Sequence, residues 1–113
     1  MVTITIRRDG RAQHIFVEAN GHAGGAPAGQ NLICAAVSAL LYGFALEVAS
    51  IPPHRFVAGG RVDFGTLSGH CLMDLTCRDR RTYRRLSAAL SPVERTLIKF
   101  SEEWPQDVTV SRF

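Results

Sequence analysis

The chain has 113 residues, 46% of them hydrophobic, and 13 Lys and Arg against 10 Asp and Glu give it a formal charge of +3. That length holds one core and excludes a large separate substrate domain, so residues 1–113 read as a single domain. The small basic excess permits an acidic or nucleic-acid partner without requiring one. The opening MVTITIRRDG sets Arg7, Arg8 and Asp9 where a long apolar run would have to form. The sequence therefore predicts neither a signal peptide nor a membrane span, and a cytoplasmic setting. Cys34, Cys71 and Cys77 are an odd set without a CxxC pair, which argues against a disulfide framework and agrees with a reducing compartment.

In chain order, Val2 to Ile6 alternate apolar and polar residues, Asp9-Gly10 marks a turn, and His14 to Ala19 resume the alternation. A β-hairpin follows, with Val2, Ile4, Ile6, Ile15, Val17 and Ala19 facing the core and His14 and Glu18 on the opposite face. The stretch from Ala23 to Gln30 carries Gly24, Gly25 and Gly29 and little apolar mass, the composition of a mobile flap. From Leu32 to Ser50 nearly every residue is apolar or small, which predicts a helix buried on most sides, ended by Pro52 and Pro53. Val62 and Phe64 share one face of the next strand, Thr66 to Gly69 turn, and His70 to Cys77 form another strand with Cys71, Met73, Leu75 and Cys77 on one face. A second helical region holds Ser91-Pro92-Val93-Glu94, a Ser-x-x-Glu pattern that predicts a helix start or a kink. Leu97, Ile98, Phe100 and Trp104 form an apolar stripe, Pro105 stops the helix, and Val108 and Val110 predict a final strand. The order is ββαββαβ, an α+β two-layer domain with two main helices on a largely antiparallel sheet.

The chemistry concentrates between Gly21 and Ser38, GHAGGAPAGQNLICAAVS. His22 follows a strand, and Cys34 falls in the first turn of the apolar helix, with Asn31 placed to cap that turn. A helix N-terminus stabilises a thiolate by ~1–2 kcal/mol, enough to move a thiol from about 8.5 only towards about 7.5. A second activator is needed, and His22 is the candidate, holding the thiolate as an ion pair and later protonating the leaving group. Gly21 allows close backbone approach, and Ser38 sits one turn beyond Cys34 on the same face. The bland alternative is a small core cysteine and a loop histidine.

Other chemistries fit less well. Cys71, Cys77, His54 and His70 do not match the spacing of a zinc knuckle, and strand parity makes both cysteines core residues. The glycines of residues 21–29 lack the Lys and Ser/Thr of a phosphate loop. No metal or other cofactor is expected. Arg80, Arg81, Arg84 and Arg85 would line one helix face and could touch phosphate, but such runs are usually solvated, so direct nucleic-acid binding is not expected.

The segment GHAGGAPAGQNLICAAVSAL resembles the signature of the ribosomal-processing cysteine proteases, called Prp, in which a GHA element precedes a helix opening with CAAVS. The element order and the Trp104-Pro105 ending are similar too. The resemblance implies a cytoplasmic cysteine endopeptidase that removes an N-terminal extension from large-subunit ribosomal protein twenty-seven, working as a homodimer with His22 and Cys34 catalytic and Gly21 and Ser38 matching the motif. One position departs: the family generally has Asp three residues before the cysteine, where this chain has Asn31. An amide can cap the helix and orient an imidazole but supplies no charge, which implies weaker activity or a shifted substrate preference. Substrate recognition would rest on backbone pairing and apolar pockets, or on acidic residues such as Glu18, Asp63 and Asp74. The rivals are a ribosome- or RNA-associated binding module with an idle dyad, and a thiol redox enzyme, disfavoured because no resolving cysteine lies near Cys34 in sequence.

Overall fold

The computed structural model describes residues 1–21, 31–57, 61–65 and 70–113. The alternating N-terminal segments form strands β1 (Val2–Asp9) and β2 (His14–Asn20), paired antiparallel with Ile4 opposite Ala19 and Ile6 opposite Val17. The Asp9 carboxylate shapes the connection by accepting from the Arg11 and Ala12 amides at 3.0 and 3.2 Å. β3 (Arg61–Gly65) and β4 (His70–Thr76) are also antiparallel, and β4 lies against β2. The last strand, β5 (Val108–Arg112), runs parallel to β1, so the sheet is mixed, in the order β3-β4-β2-β1-β5. The turn expected at Thr66 to Gly69 lies outside the described residues.

Side chains alternate across the strands, and the inward set is Val2, Ile4, Ile6, Ile15, Val17, Ala19, Cys71, Met73, Leu75, Cys77 and Val108, all buried. Against it pack helices α1 (Asn31–Ala49) and α2 (Arg80–Glu103). The outer face is mainly polar, with Phe16 and Leu72 among its residues. There the Arg7 guanidinium lies 4.5 Å from the Phe16 ring centroid, His14 pairs with Asp74, and His70 faces Glu18 at 3.5 Å.

Two expectations are corrected. Helix α1 is not buried on most sides. Val37, Leu41, Phe44 and Val48 face the core, whereas Leu32, Tyr42 and Leu46 are 74%, 51% and 54% exposed. A helix lying on one layer buries only the stripe that meets it. The 18 residues Leu32–Ala49 have a mean hydropathy of 2.0, long and apolar enough by length and composition to cross a bilayer, but a core helix passes the same test and this one seats its stripe on the domain core.

The second correction is at Ser91 to Glu94, where a helix start or a kink is expected and no helix start is found. α2 runs through Pro92 without interruption. Pro92 forfeits one hydrogen bond to the preceding turn, yet Leu86, Leu90 and Leu97 form one buried face across it and hold both halves to the core. The true start is at Asp79, whose carboxylate accepts from the Thr82 amide at 2.8 Å and the Thr82 hydroxyl at 3.0 Å. Ser91 and Glu94 serve instead to bind Arg8, which points inward from the end of β1. Its Nη1 donates to both Glu94 carboxylate oxygens at 2.6 and 2.9 Å, its Nε to Ser87 Oγ at 3.0 Å, and its Nη2 to Ser91 Oγ at 3.3 Å. This clamp ties the hairpin to the middle of α2. Trp104 and Pro105 end the helix as expected.

Candidate active site at the start of helix α1

β2 delivers the chain to Gly21, where the backbone turns with φ +97°. A Cβ there would lie 2.2 Å from the Met1 carbonyl oxygen. Only glycine meets both demands: an L side chain is strained at that φ, and the neighbouring backbone occupies the space. The strand exit before His22 is thus fixed by Gly21. His22 itself, and the expected flap at residues 23–30, lie outside the described residues.

The chain is described again from Asn31, the first residue of α1. The cap expected of the Asn31 side chain also lies outside the described residues. Cys34 is the fourth residue of the helix, half-buried and packed against the core at the edge of the Val37, Leu41, Phe44, Val48 stripe. Ser38, also half-buried, follows one turn later on the same flank. Amides of a helix's first turn have no carbonyl partner within the helix, so Cys34 sits at a cluster of N–H donors that favours negative charge.

The other two thiols are poor nucleophiles. Burial, aided by the Asp63 charge, pushes Cys71 up to about 11, and burial with the Asp79 charge does the same for Cys77. Both are unbridged and inward-facing. His70, beside Cys71 in sequence, points to the outer face. Strand parity therefore sets His70 across the sheet from both cysteines, and among the described residues no group of three His, Cys, Asp or Glu could hold a metal. The acidic residues Glu18 and Asp74 lie on the outer sheet face with their histidine partners, across the sheet from the layer that carries Cys34.

A cavity of about 650 Å³ that sequence reasoning missed opens beside the start of α1, lined by Leu32, Ile33, Ala36, Phe100, Trp104 and residues that follow α2. Phe100 and Trp104 meet edge to face there, with ring centroids 5.6 Å apart. Cys34 and Ser38 occupy the opposite flank of α1 from Leu32 and Ala36. The available signal was the apolar pair Leu32-Ile33 at the start of α1, together with an aromatic pair one turn apart at the end of α2.

The model of the family described as cysteine protease Prp matches residues 1–109. Among solved structures, the essential ribosomal processing protease Prp from S. aureus superposes with a TM-score of 0.73 in complex with a covalently linked product peptide and 0.72 in complex with a substrate peptide. Each is 18% identical in sequence, and the match covers 100% of both chains. SMU.848 from Streptococcus mutans superposes with a TM-score of 0.71 at 24% identity, over 100% of this chain and 94% of that one. No curated protein matches the sequence significantly. At these identities the structural likenesses speak for the fold: the same five-stranded α+β sheet under two helices. With the family model spanning nearly the whole chain, the protein belongs to the cysteine protease Prp family.

Proposed function

We propose that the chain is a cysteine endopeptidase that uses Cys34 and His22 to remove the N-terminal extension of large-subunit ribosomal protein twenty-seven. The observation that carries this reading is the position of Cys34, half-buried in the first turns of α1 in a chain whose two other thiols are buried in the core. The S. aureus relative, described as a ribosomal processing protease and seen with substrate and product peptides, supports the substrate class. In this mechanism His22 holds the proton of Cys34, and the thiolate sulfur attacks the scissile carbonyl carbon. First-turn amides of α1 hold the oxyanion. The C–N bond then breaks, and the leaving amine takes the proton from His22. Water, deprotonated by the same imidazole, hydrolyses the thioester and returns the thiol.

Asn31 in place of Asp leaves the imidazolium without a neighbouring carboxylate from that position, so Asn31→Asp should raise turnover. A second copy of the chain would cover the exposed Leu32, Tyr42 and Leu46 surface of α1, which supports the homodimer. The cytoplasm supplies both the reduced thiol and a ribosomal substrate. The test is incubation of the protein with extended ribosomal protein from the same source. The wild type should cut within the extension, and Cys34→Ala and His22→Ala should lose cutting by orders of magnitude. Folded wild type that leaves the extension intact would favour a binding module with an idle dyad.

A further inference from the structure

Lys99 is the only lysine; the other cationic side chains are twelve arginines, and six of these, Arg55, Arg78, Arg80, Arg81, Arg84 and Arg85, fall in two short segments. The fold brings the segments together. Arg55 belongs to a 3-10 turn at Pro53–Arg55, and Arg78 donates its backbone N–H to the Arg55 carbonyl at 2.8 Å and its Nε to the Phe56 carbonyl at 3.0 Å. Between this turn and the first turns of α2 lies a cavity of about 300 Å³ lined by Ile51, Pro52, Arg55, Arg81, Thr82 and Arg85.

Three guanidinium groups around one pocket repel each other unless something negative lies among them. Two carboxylates stand nearby, and both are engaged. Asp79 caps α2 through the Thr82 amide and hydroxyl, with Arg55 Nη1 at 3.5 Å. Glu47 accepts from Arg85 Nε at 2.9 Å, while Arg85 Nη2 donates to Ser50 Oγ at 3.0 Å. The Arg85 fork is thereby oriented with donor capacity left over. The exposed Arg81 side chain makes no hydrogen bond or ion pair among the described residues. Six guanidinium groups against two occupied carboxylates leave this end of the molecule positive, with a pocket at its centre that Ile51 and Pro52 also line.

We propose that this pocket is a phosphate-binding site in which Arg55, Arg81 and Arg85 donate to the phosphate oxygens. Arginine suits the task because its planar fork matches two oxygens of a tetrahedral anion at once. The phosphate is either a backbone group of RNA or a free or esterified small phosphate; the pocket chemistry is common to both. The site lies at the C-terminal end of α1 and the N-terminal end of α2, whereas Cys34 is at the start of α1, so it is separate from the peptidase chemistry.

The test is a titration of the full chain with sodium phosphate at constant ionic strength, followed by amide NMR at Thr82 and Arg85, and repeated with Arg81→Gln and Arg55→Gln. Arg95→Gln, on α2 but outside the pocket, is the control. Saturable shifts at Thr82 and Arg85 are expected in the wild type and in Arg95→Gln, with affinity about tenfold or more weaker in Arg81→Gln. A short single-stranded RNA added to the phosphate-saturated protein identifies the source. Displacement of phosphate from these amides marks RNA, and an unchanged spectrum marks a small phosphate. Shifts that never saturate in the wild type, or an equal loss in Arg95→Gln and Arg81→Gln, would overturn the proposal.

Discussion

Gly21→Ala is the most informative single perturbation near the candidate site, because it strains the backbone one residue before His22 without touching Cys34. The φ of +97° is unfavourable for any L side chain, at a cost of about 1–3 kcal/mol. The added Cβ would also meet the Met1 carbonyl oxygen at 2.2 Å, so backbone on one side must move. At about 4 °C or more per kcal/mol for a domain of this size, thermal denaturation should show a loss of several degrees. Gly43→Ala is the matched control. It lies within α1, and an alanine Cβ there would meet nothing within 4 Å, so the substitution should stabilise by about 0.5–1 kcal/mol. Removing Met1 from the Gly21→Ala protein relieves the collision but not the φ, and should recover only part of the loss. Peptide cleavage should fall further than the unfolded fraction explains, since displacing a reacting group by about 1 Å can cost about 100-fold. Wild-type melting and cleavage in Gly21→Ala would refute the view that this glycine fixes the strand exit.

Other outcomes follow from the packing. Glu94→Gln keeps the shape of the Arg8 partner but removes the charge that receives two hydrogen bonds, and should cost about 2 kcal/mol in urea denaturation; a loss below about 0.5 kcal/mol would show the clamp to be dispensable. Asp79→Ala should lower the melting temperature by uncapping α2, and Asp79→Asn should lower it less. Hydrogen bonds from Thr82 hold the Asp79 carboxyl below its ordinary value of 3.8, so its contribution is present above that pH and is lost as pH falls through the lowered native value. Cys71 and Cys77 behave oppositely. Their thiols rise from 9.0 to about 11 in the folded protein, so the stability they lend is complete below pH 9 and falls as pH rises towards 11, a decline that Cys71→Ala should reduce in alkaline melts.

The strands were legible because one of their faces is buried and the other wet: Ile4, Ile6, Ile15 and Val17 line the core while His14 and Glu18 stay outside, as alternation alone required. Cys71 and Cys77 as core residues followed from the same parity. The helices were harder to read. In α1 apolar residues occur all around the axis, so composition could not say which stripe the sheet would take; packing chose Val37, Leu41, Phe44 and Val48. In α2 a local capping pattern at Ser91 competed with long-range partners. Arg8, 83 residues away from Ser91 in sequence, takes both polar side chains into a clamp, and the buried leucines on either side of Pro92 keep the helix whole. The place of Cys34 near a helix start was legible from the apolar run that follows it. The pocket of Arg55, Arg81 and Arg85 was not, because half of it comes from a turn whose approach to α2 no local pattern encodes.

The most direct test of Cys34 as the nucleophile is to quench the reaction with an extended ribosomal-protein peptide in acid and map the covalent adduct by mass spectrometry. The thioester-linked fragment should be found on Cys34 alone and should be absent from His22→Ala. An adduct on Cys71 or Cys77, or cleavage that persists in Cys34→Ala, would contradict the assignment.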